Sequence, residues 1–357
     1  MKSIVLVEAP DRENKVLAKV AVRDLPKPTP GPEDVLIRVA YASICGSDNS
    51  ILKGNVPDDL INKLRIVLRF QPFQIGHEIS GVIEAVGAKA KLAGFKVGDR
   101  VTANYTQYCN SCYFCRTGQE NFCERPVSHM DAMSEYVCWH MSQIYKIPDD
   151  VSLLDASQTE PLTIGMNAAE TAKVHLGSRV FVSGAGPIGL YAVMMAKQAG
   201  ASKIVVSDIV AKKQEIALAC GADAVVNPME EGWQKKAMAE TDGKGFDAVI
   251  ESSGAPSAAN SMLDLVSKNG HLVMMAMYPT GFEWKLNPYQ QLYEAGKHIH
   301  GMYTSADLFP RAVAMLKSLD FSKVIDKVVA PEDCEEAFAM SVSGQYSKIV
   351  FKFSDDE

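Results

Sequence analysis

Four of the eight cysteines in the chain lie within fifteen positions of one another. Cys109, Cys112, Cys115 and Cys123 follow the pattern C-x-x-C-x-x-C-x(7)-C. Four thiolates from one short segment can close a tetrahedral zinc site and leave no open position for a substrate. The spacing therefore predicts a structural zinc site in a lobe at about residues 105–125. An iron–sulfur cluster also uses four cysteines and is the alternative.

A second motif with chemical meaning is the glycine-rich segment "GAGPIG", which follows the apolar run "RVFVS". Gly184 permits a tight turn, Gly186 lets the backbone approach a pyrophosphate, and Gly189 lets a helix pack closely on a strand. Pro187 and Ile188 then open the predicted helix, whose free N–H groups would face the phosphates. The segment predicts a dinucleotide-binding turn, and the alternative is an ordinary strand-to-helix turn. A dinucleotide-binding turn indicates an enzyme that transfers hydride, and hydride transfer does not need a one-electron carrier such as an iron–sulfur cluster. The motif therefore favours zinc over iron–sulfur as the metal of the cysteine lobe.

The choice of coenzyme depends on the next predicted strand, "KIVVSD", which ends at Asp208, 19 residues after Gly189. A carboxylate at this position binds the 2′-hydroxyl of the ribose and repels a 2′-phosphate. The sequence therefore predicts NAD(H) rather than its phosphorylated form. Lys213 follows one helical turn later and could contact the same ribose, or it could be a solvated surface lysine.

The elements that must position these residues fall into two patterns. Up to about residue 150, short alternating runs such as "EISGVIEAVG" are separated by Gly, Pro and Asp, which is typical of a partly closed β-barrel. Strands then alternate with helices, which indicates a doubly wound parallel sheet. From about 290 the pattern is mixed, and we expect the tail to return to the first domain. The predicted boundaries are 1–152, 153–292 and 293–357.

Composition excludes several classes of protein. The formal charge of the 357-residue chain is −7, and no basic stripe is present, so we expect no nucleic-acid or membrane partner. No apolar run approaches the ~20 residues that span a bilayer. The start, "MKSIVLVEAPDREN", has too short an apolar run for a secretory signal and is predicted to be a strand. These features predict a cytoplasmic protein.

Three distant segments add further candidate metal ligands: "ICGSD" contains Cys45, "GHE" contains His77 and Glu78, and "TEPL" contains Glu160. Singly they mean little, since a lone cysteine or histidine most often only packs in a core. Together with "GDRV", the cysteine lobe and "GAGPIGL", they resemble the zinc-containing medium-chain dehydrogenases, particularly the sorbitol (polyol) and threonine dehydrogenase branch. The resemblance runs over essentially the whole chain.

The resemblance implies a GroES-like β-barrel catalytic domain with an inserted Rossmann domain. It also implies a catalytic zinc, the second per chain, held by Cys45, His77 and Glu160. A water or the substrate oxygen would take the open fourth position, with Glu78 near enough to exchange onto the metal. Asp48 is predicted to accept the other ring N–H of His77, and the alternative is an aspartate that caps a turn.

The expected activity is hydride transfer between NAD(H) and a secondary alcohol or ketone. Zinc would lower the pKa of the alcohol, and Ser47 would accept its hydrogen bond and pass the proton outward. The substrate is predicted to be a polyol, a sugar alcohol or a sugar-derived compound, a class that includes sugar acids and sugar phosphates. The alternatives are a threonine-type amino alcohol and, from another class, a non-catalytic nucleotide-binding structural protein. Relatives are commonly homodimers or homotetramers, and we expect the same here.

This chain departs from the family pattern in three places. Ser50 stands where many relatives have a histidine that relays the proton to solvent. The sequence therefore does not identify the final proton acceptor. Ser50 itself is interpreted first as a polar loop residue. The long segment after Cys45 contains Lys63, Arg65 and Arg69. They are interpreted first as the solvent-exposed face of an amphipathic helix and second as part of a lid that binds an anionic substrate. Where relatives often have a Gly-Gly pair before an aromatic residue and "AEY", this chain reads "HMDAMSEYV". His129, in this segment, is interpreted first as a loop residue and second as a substrate contact.

Overall fold

The computed structural model describes residues 1–279 and 281–356 and divides into two compact units. Unit 1 comprises Met1–Glu160 and Phe309–Glu357, and unit 2 comprises Pro161–Leu308. Among the described residues, no helix is long and apolar enough to cross a membrane.

Strands and helices are numbered along the chain. The strands are β1 (Lys2–Glu8), β2 (Lys19–Asp24), β3 (Asp34–Ser43), β4 (Phe73–Gln74), β5 (Glu78–Val86), β6 (Arg100–Ala103), β7 (Thr106–Gln107), β8 (Val127–Ser128), β9 (Tyr136–His140), β10 (Ile144–Lys146), β11 (Arg179–Ser183), β12 (Lys203–Ser207), β13 (Ala224–Val226), β14 (Phe246–Glu251), β15 (Val266–Met274), β16 (His298–Gly301), β17 (Ile325–Val329) and β18 (Lys348–Lys352). The α-helices are α1 (Gly46–Lys53), α2 (Asp58–Val67), α3 (Ala88–Leu92), α4 (Tyr113–Arg116), α5 (Leu153–Ala156), α6 (Thr159–Thr171), α7 (Pro187–Gln198), α8 (Ala211–Ala219), α9 (Trp233–Ala239), α10 (Pro256–Leu265), α11 (Phe309–Met315) and α12 (Cys334–Val342). A π-helix spans Pro288–Glu294, and 3₁₀ turns span Glu120–Phe122, Met141–Gln143, Leu316–Ser318, Phe321–Lys323 and Pro331–Asp333.

Unit 1 is built on a seven-stranded sheet in the order β10-β6-β5-β3-β18-β17, with β9 also paired to β3. Smaller sheets, β2-β1-β4 and β7-β8, complete the unit. The alternating runs of the sequence supply its core, in which Ile37, Val39 and Ile79 are almost fully buried. The C-terminal strand β18 lies between β3 and β17, so the tail of the chain completes the sheet that the first 150 residues begin.

Unit 2 contains a six-stranded sheet in the order β13-β12-β11-β14-β15-β16, in which all the pairs are parallel. Strands β11, β12 and β14 are almost continuously apolar and buried, as expected for a sheet with helices on both faces. The strand order reverses direction between β11 and β14, because the chain proceeds outward from β11 through β12 to β13 and then returns to β14. The parallel doubly wound sheet predicted from the sequence is therefore present.

The second unit does not end where the sequence analysis placed it. The predicted boundary at 292 is too early, because His298–Gly301 forms β16 and pairs in parallel with β15, from His271↔His298 to Met274↔Gly301. The mixed pattern after 290 thus still contains an edge strand of the parallel sheet. At the other end, the unit begins at Pro161 rather than at 153, within helix α6.

Candidate active site

The candidate metal ligands of unit 1 lie where the end of β3 meets the beginnings of its two neighbours, β5 and β18. Cys45 follows the end of β3 by two residues, and Glu78 begins β5, which is antiparallel to β3 with Ser43 opposite Glu78. Strand β18 is antiparallel to β3 on its other side, with Val350 opposite Ser43. Because both neighbours run antiparallel to β3, their first residues lie beside its last residues.

The ligand atoms of Cys45, His77 and Glu78 all lie within 4.8 Å of one another. Glu78 is fully buried, and His77 is 5% exposed. One thiolate, one imidazole and one carboxylate form a donor set that zinc accepts. This geometry fits a metal ion.

Glu160, the other predicted carboxylate ligand, is 8% exposed and lies in the first turn of α6. It is outside the 4.8 Å group. The pKa of Glu160 is raised to about 7, chiefly by burial and also by the charge of Glu78, although His77 and Lys348 act in the opposite direction. These interactions locate Glu160 in the surroundings of the group, and its role as a zinc ligand stays a prediction.

A buried lysine that the sequence analysis missed contacts this group. Lys348, the first residue of β18, is 1% exposed and donates to both carboxylate oxygens of Glu78, at 2.8 and 2.6 Å. It also donates to the carbonyl oxygen of Ile44 at 3.2 Å. Burial alone would lower the pKa of Lys348, but the charges of Glu78 and Cys45 raise it above its ordinary value. In "KIVFKF" nothing distinguishes Lys348 from a solvated lysine at the start of a strand.

The buried charges of this region favour a cation. Asp48, Glu78 and Glu160 are all buried, and the Cys45 sulfur lies beside them. Lys348 neutralises one of these anions. Burial alone would lower the pKa of His77, but Cys45, then Asp48 and Glu160, raise it well above the ordinary value. The anions around His77 thus favour a positive charge at this place, and a divalent metal ion held there would supply it.

Asp48 has two contacts that match the two interpretations made from the sequence. Its Oδ2 accepts the backbone N–H of Cys45 at 2.9 Å, which caps the start of α1. Its Oδ1 lies 4.0 Å from Nδ1 of His77, and neither of these two buried atoms has a hydrogen-bond partner among the described residues. The capping role is therefore observed. A small movement of the Asp48 and His77 side chains toward each other would form the predicted hydrogen bond.

The two serines predicted for the proton path differ in their contacts. The Oγ of Ser47 is buried and has no partner within the described part of the chain, so it can accept a hydrogen bond from a bound alcohol. Ser50 was interpreted as a loop residue, and this is wrong: it lies in α1, and its hydroxyl donates to the carbonyl of Gly46 at 3.1 Å. The adjacent Asn49 donates through Nδ2 to Oγ of Ser341 at 2.8 Å.

The basic residues of the long segment lie on or just after helix α2. Ile61 and Leu64 of this helix are buried in the barrel core, whereas Lys63 and Arg65 are exposed. Arg69 follows the helix and is also exposed, in a groove of about 480 Å³ that Arg23 also lines. The structure thus favours the interpretation of these basic residues as the solvent-exposed side of an amphipathic helix over their interpretation as a lid.

His129 is half-buried and stacks on Trp139, with ring centroids 5.3 Å apart. Its Nδ1 lies 3.9 Å from Oδ1 of Asp131, which accepts the indole N–H of Trp139 at 2.8 Å. Burial lowers the pKa of His129. These contacts give His129 a packing role in unit 1, and a contact with substrate stays a prediction.

The four lobe cysteines also converge, with sulfur atoms within 4.8 Å of one another. Backbone N–H groups of Cys109 and Cys112 donate to the sulfurs of Cys123 and Cys109, each at 3.4 Å. Hydrogen bonds from the backbone and hydroxyl of Ser111 lower the pKa of Cys109 to about 5. Arg125 places Nη2 3.8 Å from the same sulfur. Donors aimed at sulfur stabilise thiolates, so the lobe fits a tetrahedral zinc ion.

In unit 2, the glycine segment has the shape that a dinucleotide needs. Gly184 has φ +94°, a conformation that side chains rarely adopt. A Cβ on Gly189 would lie 1.9 Å from the carbonyl oxygen of Gly184, so only glycine fits there. A Cβ on Gly186 would meet nothing within 4 Å, which leaves its backbone open to a ligand. Pro187 and Ile188 begin α7, as predicted.

Asp208 follows β12 and is fixed by two backbone groups. Its Oδ2 accepts the N–H of Ala185, in the glycine segment, at 2.8 Å, and its Oδ1 accepts the N–H of Val210 at 2.9 Å. The carboxylate is thereby held beside the phosphate-binding turn, where a ribose hydroxyl could reach it. Lys213 lies in the first turn of α8.

Comparison with known proteins identifies both parts of the chain. The family model of the alcohol dehydrogenase GroES-like domain matches residues 31–149, and that of the zinc-binding dehydrogenase matches residues 187–318. An L-threonine 3-dehydrogenase of Paraburkholderia phytofirmans is 33% identical over 359 residues, which is 95% of this chain and 99% of the relative. This chain belongs to the zinc-containing medium-chain dehydrogenase family.

Two solved structures extend the comparison. A protein of Clostridium scindens described as a zinc-binding dehydrogenase is 41% identical, with a TM-score of 0.95 and full coverage of both chains. An alcohol dehydrogenase of Escherichia coli CFT073, solved with NADH, is 27% identical, with a TM-score of 0.84 and 99% coverage of each chain. The predicted fold, a GroES-like domain with a Rossmann domain, is confirmed. As a medium-chain dehydrogenase, the protein is a zinc-dependent oxidoreductase that acts on CH–OH groups.

Proposed function

We propose that this dehydrogenase oxidises a secondary alcohol of a polyol or sugar-derived substrate with NAD⁺, using one zinc for catalysis and a second in the cysteine lobe. The observation that carries the proposal is the group of half-buried Cys45 with buried His77 and Glu78, whose ligand atoms lie within 4.8 Å of one another. Zinc held by Cys45, His77 and Glu160 would polarise the alcohol oxygen and lower its pKa.

The chain's own residues have separate tasks in this proposal. Ser47 accepts the hydrogen bond of the substrate alcohol through its buried Oγ, for which the described residues provide no partner, and as it takes this proton it passes its own hydroxyl proton outward. Asp48 holds Cys45 through its backbone N–H and stabilises the ring orientation of His77. Lys348 keeps Glu78 in place beside Cys45 and His77 through two hydrogen bonds.

An uncharged polyol fits the charges of this region better than an amino acid does. Lys348, the buried cation beside the ligand group, is neutralised by Glu78 and so offers no free charge to a substrate carboxylate. A threonine-type amino alcohol is the second candidate. It is favoured by the 33% identity to the Paraburkholderia L-threonine 3-dehydrogenase over nearly the whole chain.

A panel of substrates separates these candidates. NAD⁺ reduction would be followed with polyols, sugar acids, sugar phosphates and L-threonine at equal concentrations. We expect kcat/KM for the best polyol to exceed that for L-threonine by at least about tenfold, which corresponds to ~1.4 kcal/mol of transition-state binding. A higher kcat/KM for L-threonine would overturn the polyol assignment and establish the second candidate.

The preference for NAD⁺ is proposed to depend on Asp208. Replacing Asp208 with serine removes the carboxylate that would repel a 2′-phosphate. We expect the ratio of kcat/KM for NAD⁺ to that for NADP⁺ to fall by at least about fivefold, since one unfavourable ion–ion contact costs roughly 1 kcal/mol or more. Steady-state kinetics with both coenzymes measure this ratio.

Asp223→Asn provides a matched control for this variant. Asp223 also accepts a backbone N–H, that of Ile204 at 2.7 Å, but at the opposite end of β12. Its replacement should leave the coenzyme ratio unchanged. Equal ratios in the wild-type and Asp208→Ser enzymes would show that Asp208 does not select the coenzyme.

Two further features of the proposal depend on the family relationship. We propose a homodimer or homotetramer and a cytoplasmic location, as the sequence analysis expected. Sedimentation of the purified enzyme would measure the first, and fractionation of the source cells the second.

A further inference from the structure

Unit 2 contains a buried carboxylate that neither the glycine segment nor the metal site uses. Glu251, the last residue of β14, has no exposed surface. It accepts hydrogen bonds from the backbone N–H of Ser253 at 2.9 Å, from the hydroxyls of Ser253 and Ser183, and from the phenol of Tyr278. A buried anion is costly unless hydrogen bonds compensate it, so these donors must stay in place for the segment to be stable.

Glu251 lies at the edge of the sheet where a dinucleotide is expected to bind. Strand β11 lies between β12 and β14, and the order of strands reverses there. In doubly wound sheets, dinucleotides bind outside the carboxyl ends of the strands at this reversal. Asp208, after β12, takes the adenosine side in the proposed coenzyme site. The nicotinamide half is therefore expected on the other side, toward the ends of β14 and β15.

On one side, the segment that begins with Glu251 packs against the phosphate-binding turn. The hydroxyl of Ser252 donates to the carbonyls of Ser183 at 2.8 Å and of Gly184 at 3.2 Å. A Cβ on Gly184 would lie 3.0 Å from the Cα of Ser253. The turn and the end of β14 are thus one packed structure.

On the other side, the same segment packs against the residues that follow β15. Gly254 has φ +70°, and a Cβ there would lie 2.9 Å from the carbonyl oxygen of Met277. The N–H of Met275 donates to the carbonyl of Glu251 at 3.2 Å. The phenol of Tyr278 adds a side-chain hydrogen bond to the Glu251 carboxylate.

We propose that Tyr278 is a positioning residue for the coenzyme site. Through Glu251 it fixes the segment after β15 relative to the phosphate-binding turn, and this segment then binds the nicotinamide half of the coenzyme. This inference rests on the proposed NAD(H) site. Tyr278 acts through its hydrogen bond to Glu251. Burial, followed by the hydrogen bond to Glu251, raises the pKa of Tyr278, so the phenol stays a donor over the working pH range.

The test compares the whole coenzyme with a fragment that lacks nicotinamide. Dissociation constants for NADH and for ADP-ribose would be measured by calorimetry with the zinc-loaded wild-type and Tyr278→Phe enzymes. We expect Tyr278→Phe to weaken the binding of NADH about fivefold to tenfold, which is the size of effect that the loss of one hydrogen bond typically has. ADP-ribose should bind equally well, within twofold. Tyr289→Phe, an exposed tyrosine of the same unit, should change neither constant.

A double-mutant cycle tests the route through Glu251. Glu251→Gln replaces the charged acceptor of Tyr278 with an amide and should weaken NADH binding as well. The combined variant Tyr278→Phe/Glu251→Gln should bind NADH no more weakly than the worse single variant, since both substitutions act on the same contact. An unchanged NADH constant in Tyr278→Phe overturns the inference. So does equal weakening of NADH and ADP-ribose, which indicates a general loosening of the fold. If the wild-type enzyme bound neither ligand, the proposed coenzyme site itself would be wrong.

Discussion

Replacing Cys45 with serine is expected to lower kcat/KM by about a thousandfold and to reduce the zinc content from about two ions per chain to about one. A serine hydroxyl is a poor zinc ligand at neutral pH, whereas the cysteine thiolate is a strong one. Loss of the metal removes several kcal/mol of transition-state stabilisation, and about 4 kcal/mol corresponds to a thousandfold in rate. Metal analysis and steady-state kinetics measure the two effects.

Two other cysteines serve as controls for this variant. Cys138→Ser changes a half-buried cysteine outside both ligand groups, so activity and zinc content should stay close to wild type. Cys123→Ser should also remove one zinc, but from the lobe, and should lower the melting temperature because a structural metal contributes to folding. Full turnover by Cys45→Ser would contradict the proposed metal site.

Replacing Lys348 with methionine is expected to be the most destabilising of these substitutions. Methionine has a similar length but leaves the carboxylate of Glu78 buried without its two hydrogen bonds. Removing one partner of a buried ion pair costs about 3–5 kcal/mol, because the remaining charge is uncompensated. In a unit of this size we expect the melting temperature to fall by roughly 10 °C. We also expect kcat to fall, since Glu78 belongs to the ligand group.

The ion pair can be separated from other effects by two further variants. Lys352→Met, on the same strand, removes an exposed contact with Asp355 and should leave the melting temperature almost unchanged. The double variant Lys348→Met/Glu78→Gln removes both charges and should recover much of the lost stability. If Lys348→Met melted at the wild-type temperature, the pair would not be important for the fold.

The two local motifs were determined by the sequence. The cysteines of the lobe lie within fifteen positions, and the structure brings their sulfur atoms within 4.8 Å. The glycine segment is six residues long, and its geometry follows from the absence of side chains at Gly184 and Gly189. In both cases the residues that act together are neighbours in the chain, so spacing alone restricts their arrangement. The alternation of strands and helices similarly predicted the parallel sheet of unit 2.

The site around Cys45 was decided by the tertiary structure. Lys348 and Glu78 are 270 positions apart, and they meet only because β18 and β5 pair with opposite sides of β3. The sequence predicted the metal ligands there by resemblance, but strand order and register determine which other charges are buried beside them. A lysine at the start of a strand is buried or solvated according to its neighbours across the sheet, and those neighbours are distant in the chain. The sequence therefore predicted the metal ligands of this dehydrogenase, whereas the packing of three strand ends determined that Lys348 is buried beside Glu78.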